Sequence, residues 1–80
     1  MKFNCNAAVG KEFSIVAVVA RVWRGTMVLA ASKEADTIIP LSVGVEAILW
    51  AVQLAKAQNL ERIIIESDSK ACIEAFQGLG

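Results

Sequence analysis

Few residues in this sequence could do chemistry, and most of those are carboxylates. The run Ile63-Ile64-Ile65-Glu66-Ser67-Asp68-Ser69-Lys70 carries an apolar stretch into a polar turn and sets Asp68 just ahead of a helical pattern. An acid in that place can hold a divalent cation, because hard ions prefer anionic oxygen ligands. It can equally cap the helix by accepting from a free amide of the first turn. Glu66 shares a strand face with Asp68 and could add a charge there, although a solvated strand-end acid is the simpler reading. Histidine is absent, which removes the commonest general base and metal ligand near neutral pH. Cys5 and Cys72 lie far apart and form no CxxC or zinc-like spacing, so they read as two reduced thiols of an intracellular protein. For contact with nucleic acid the candidates are Arg21, Arg24 and Lys33, near an expected hairpin, with Trp23 available for stacking. Three cations and one ring are also what a solvated hairpin looks like.

The elements that must position these residues follow from pattern. Lys2 to Ala8 predicts a short strand ended by the Val9-Gly10-Lys11 turn. Phe13 to Val22 predicts a second strand with apolar residues on both parities, so both of its faces want cover. Trp23-Arg24-Gly25 predicts a hairpin loop, which makes the third strand, Thr26 to Ser32, antiparallel to the second. After a connection over Lys33 to Ile39, Pro40 suits the first turn of a helix. Leu41, Val45, Ile48, Val52 and Ala55 fall on one stripe of that helix, with Gly44, Ile48, Ala51 and Ala55 on a neighbouring stripe of mostly small residues. Asn59 suits a left-handed helix end. Leu60 to Glu66 predicts a fourth strand, followed by a second helix with Cys72, Ile73 and Phe76 inward and a stop near Gly78. The fold class is α/β, in the order β-β-β-α-β-α, with a mixed sheet.

Composition narrows the function classes. The 80 residues allow one domain, and 56% of them are apolar, above the roughly 45–50% of an ordinary soluble domain. Disorder is excluded on that ground, and the excess points to surfaces that are buried against something else. The formal charge is zero, which leaves no strong electrostatic footprint for nucleic acid or an anionic membrane. The apolar run Ile15 to Ala20 is too short to span a bilayer and is ended by Arg21 and Arg24. No signal peptide follows Lys2, so the expected location is intracellular, cytoplasm and nucleus undistinguished, with no membrane partner.

Several segments taken in order are more specific than any one of them. Lys2-Phe3-Asn4-Cys5-Asn6-Ala7-Ala8 is followed by Ala20-Arg21-Val22-Trp23-Arg24-Gly25 and Leu29-Ala30-Ala31-Ser32. Then come Pro40-Leu41-Ser42-Val43-Gly44-Val45-Glu46-Ala47-Ile48-Leu49-Trp50-Ala51 and the Glu66-Ser67-Asp68-Ser69 run. Together they resemble the ribonuclease H-like domains of plant retroelement-derived, reverse-transcriptase-associated proteins, over residues 1–80 and the front part of that domain only. The resemblance implies a five-stranded mixed sheet with helices on both sides, here truncated. It also implies cleavage of the RNA strand of RNA–DNA hybrids by two divalent ions, which clamp the attacking water and the leaving oxygen.

Carried over position by position, the implied acid cluster fails. The first-strand Asp of the family falls at Asn6, and the long-helix Glu falls at Gly44, which has no side chain. Asp68 matches the third carboxylate and is the one remaining metal-ligand candidate; the fourth lies in a part of the fold outside these residues. Glu46, two residues from Gly44, points to a different helix face and does not replace it. Asn6 suits hydrogen bonding in a polar hollow, and Gly44 suits a close approach of the helix to the sheet.

The expected function is therefore a catalytically incomplete ribonuclease H-like domain that binds RNA or DNA weakly. No cofactor is expected, and Mg²⁺ only if the acid site were complete. Two alternatives stand beside it: a self-associating or protein-interaction module, and a hybrid endonuclease only as part of a longer chain. The expected partner is a second copy, as a homodimer, or the missing C-terminal half, since the Ile63-Ile64-Ile65 strand would otherwise form a bare edge.

Overall fold

A computed structural model describes residues 1–79. Its first part is an antiparallel meander of β1 (Lys2–Val9), β2 (Ser14–Arg21) and β3 (Met27–Ala35). The β2–β3 turn closes through Gly25, whose φ of 87° is open to glycine, and through a 2.8 Å bond from the Gly25 amide to the Val22 carbonyl. α1 (Pro40–Ala57) begins with Pro40 in the first turn and ends before Asn59, which takes the left-handed φ of 56°. β4 (Ile64–Glu66) then pairs parallel to β1, and α2 (Lys70–Leu79) follows. The strand order is β3-β2-β1-β4. The chain is thus an α/β unit with a mixed sheet in the expected element order.

Two boundaries differ from expectation, each through strand pairing. β3 runs on through Lys33 to Ala35, because β2 offers partners as far as Ser14, opposite Ala35. β4 is confined to Ile64–Glu66, because β1 offers it partners only from Lys2 onward. α2 runs to Leu79, next to the expected stop near Gly78.

Both helices pack on one face of the sheet. Phe3, Cys5, Val16, Val18 and Ala20 from the strands meet Val43, Ala47, Ile48, Ala51 and Ala55 of α1, with Cys72 and Ala75 of α2. The expected small-residue stripe of α1, Gly44, Ile48, Ala51 and Ala55, is buried, whereas the larger stripe expected beside it is corrected. Leu41 and Val52 of α1 and Ile73 of α2 are exposed, while Val43, Ala47, Ala71 and Ala75 are buried. Periodicity could not choose, because α1 is apolar on both sides. Packing chose the small side chains, which let the helices lie close to the sheet and to each other.

The opposite face of the sheet carries no element among the described residues. Alternation along the strands places Ile15, Val19 and Ile64 on it, together with Lys2, Asn4, Asn6, Arg21 and Glu66. Ile15 and Ile64 remain 37% and 45% exposed there. Among the described residues no helix is long and apolar enough to cross a membrane.

Candidate active site

The candidate site forms where β1 and β4 run out side by side. β4 pairs with β1 only as far as Asn4, opposite Glu66, so the backbone of β1 beyond that point needs other partners. Ser69 supplies them. Its Oγ donates to the Ala7 carbonyl at 3.0 Å and accepts from the Ala7 amide at 3.3 Å. The Ser67 Oγ in turn accepts from the Ser69 amide at 3.0 Å. This clasp holds the 67–69 turn against β1 and sets Asp68 beside Asn6.

Asn6 follows the buried Cys5 and so faces away from the helices. With its amide oriented to suit its neighbours, Asn6 Nδ2 donates to Asp68 Oδ1 at 3.0 Å and to the Cys5 carbonyl at 3.2 Å. Its other end faces the Asn4 amide at 3.2 Å. Two positions singled out from sequence therefore do meet, as one amide and one exposed carboxylate. Ser69, and not Asp68, is the residue that directly precedes α2.

Gly44 does not join them. A Cβ at this position would lie well inside van der Waals contact distance of the Ala71 carbonyl oxygen and 3.0 Å from the Ala75 Cβ. The close approach that glycine permits is thus of α1 to α2, not of α1 to the sheet. Glu46 lies elsewhere: its Oε1 is 3.7 Å from Lys33 Nζ on β3, and its Oε2 accepts from the Asp36 amide at 3.3 Å. Glu66 pairs with Lys2 at 3.6 Å.

A pair of divalent ions does not fit this donor set. One exposed carboxylate is already bonded to an amide that brings no charge, and the position of Gly44 offers no side-chain donor atom. Among the described residues no three His, Cys, Asp or Glu side chains gather closely enough to hold a metal. A hollow of about 650 Å³ is lined by Glu12, Phe13, Glu34, Asp36 and Ile39 among others, and includes neither Asn6 nor Asp68.

The basic candidates divide. Arg21, Trp23 and Arg24 share the β2–β3 hairpin, with Trp23 67% exposed. Arg21 pairs in register with Met27 and lies near Lys2, at the end of β1 away from Asn6. Lys33 is not near that hairpin, contrary to expectation. It sits opposite Val16, about 20 Å along β3 from Met27 at the usual rise per residue, because β3 continues where a loop was expected. There it pairs with Glu46 and lies 5.0 Å from the centre of the Trp50 ring.

The grouping that sequence reasoning missed is Cys5 with Cys72, both fully buried in one core cluster. Neither spacing nor motif signals it; only the parallel β4 crossover brings α2 over β1.

Comparison with known proteins gives a family. The family described as reverse transcriptase-like matches residues 4–79. No curated protein and no solved structure gives a significant match.

Proposed function

The chain belongs to the reverse transcriptase-like family, with a ribonuclease H-like domain of the retroelement type, and from that premise we propose that it is a non-hydrolytic member whose remaining activity is binding. The observation that carries the proposal is the packing at Gly44, where the backbone of α2 takes the space a carboxylate side chain would need. Hydrolysis by two metal ions requires several anionic oxygens converging on one point. Asp68 alone, already engaged by Asn6, does not supply them. Calorimetric titration of the chelator-treated chain with Mg²⁺ or Mn²⁺ tests this. The expected trace shows no saturable site, and stoichiometric uptake of two ions would overturn the proposal.

The nucleic-acid reading rests on the exposed hairpin of Arg21, Trp23 and Arg24. Two cations and one ring give weak, sequence-independent contact, with a log–log salt slope of about −2 on duplex DNA. An Arg21→Ser, Arg24→Ser pair should remove the binding. Affinity that persists unchanged in that pair, or in high salt, contradicts the assignment.

A second reading, association between copies, is favoured by a different observation. β4 forms an edge of the sheet, and Ile64 and Ile15 are exposed on the face without helices. Burying three or four such side chains would contribute on the order of 5–8 kcal/mol before the entropy of association is subtracted. Sedimentation equilibrium should give a dimer that Ile64→Lys dissociates. A monomer in the unmodified chain removes this reading.

A further inference from the structure

Two thiols that are remote in sequence meet in the core. Cys5 on β1 and Cys72 on α2 are both inaccessible to solvent and both reduced. Their approach follows from the clasp that starts α2. Ser69 is tied to Ala7 through both backbone polar groups of that residue. Three residues further along a helix is a rise of about 4.5 Å, and two residues back along a strand is about 6.6 Å on the same face. Cys72 therefore comes to lie on the side of α2 toward Cys5, within one buried core cluster. The nearby Cys5 thiol, with help from the hydroxyls of Ser67 and Ser69, lowers the proton affinity of Cys72 against the opposing effect of burial. The nearby Cys72 side chain, then burial, raises that of Cys5. The pair is thus polarised into a better attacking sulfur and a protonated neighbour.

We propose that Cys5 and Cys72 form a dithiol–disulfide site, closed by exchange with a low-molecular-weight disulfide of the glutathione type. The Cys72 thiolate attacks one sulfur of the oxidant, breaking its S–S bond and releasing one small thiol. The Cys5 sulfur then attacks Cys72 in the mixed disulfide and releases the second. The two electrons of the cysteine pair reduce the oxidant, and the two thiol protons leave with the two released thiols. Since both sulfurs are buried, the oxidant enters when α2 opens locally. The new bond ties α2 to β1 directly behind Asn6 and Asp68, so oxidation stiffens the candidate site.

The test equilibrates the unmodified chain in graded reduced and oxidised glutathione, in native buffer and in concentrated urea. Alkylation and mass spectrometry then count the free thiols. If the fold holds the sulfurs together, the equilibrium constant for the internal bond is at least about tenfold larger in native buffer than in urea. The oxidised chain should also unfold at a higher temperature, and Cys5→Ser or Cys72→Ser should each prevent the bond. An equal or smaller constant in native buffer overturns the proposal. So do glutathione adducts or bridges between chains in place of the internal bond.

Discussion

The α-carbon of Gly44 packs against the carbonyl of Ala71, leaving no room for a side chain between α1 and α2. The loss of an acid at this position is therefore also a gain of helix contact. Gly78 makes the natural comparison, being helical with open space around it. Alanine normally improves a helix by about 0.5–1 kcal/mol over glycine, and Gly78→Ala should do so. Gly44→Ala should instead cost about 1–3 kcal/mol through overpacking, and Gly44→Glu at least as much. Urea denaturation of the variants checks the opposite signs.

Asn6→Asp replaces an amide donor with a second carboxylate beside Asp68. The two carboxylates repel each other, and the exposure of Asp68 screens that repulsion. The expected loss, with the hydrogen bond included, is about 1–2 kcal/mol. The sign of the pH dependence follows from the like charge. The new carboxyl has its folded-state pKa raised, so the penalty is full above that value and fades as pH falls through it. Stability measured at about pH 7 and pH 4 should converge with that of the parent at the lower value. A loss that is unchanged in acid would separate Asn6 from Asp68.

Ser14 is 1% exposed at the start of β2, and its Oγ has no hydrogen-bond partner among the described residues. A buried hydroxyl without a partner costs free energy that a methyl group does not. Ser14→Ala should therefore raise stability by about 1 kcal/mol, seen as a higher denaturation midpoint with an unchanged slope. A lower midpoint would show that the hydroxyl is satisfied in solution.

The sheet and both helices were legible in sequence because β-branched runs, Gly25, Pro40 and Asn59 each state a local preference that the fold keeps. The meeting of Asn6 with Asp68 was legible through family resemblance, which already paired the two positions. What was hidden depends on contact rather than on local preference. The small-residue stripe of α1 was legible, but Leu41 and Val52 were also expected inward because they are as apolar as Val43, and only packing separates them. Lys33 was misplaced because strand pairing with β2, not residue type, extends β3 past Ser32. The approach of Cys72 to Cys5 depends on the crossover geometry and leaves no trace in spacing.

The central claim is that this ribonuclease H-like domain does not hydrolyse nucleic acid, and cleavage of an end-labelled RNA–DNA hybrid tests it most directly. With Mg²⁺ or Mn²⁺, the unmodified chain should give no product above the level of a metal-free control. The Asn6→Asp, Gly44→Glu pair should give none either, since two restored acids do not open the space that α2 occupies. A metal-dependent product that grows with protein concentration and disappears in Asp68→Asn would contradict the account.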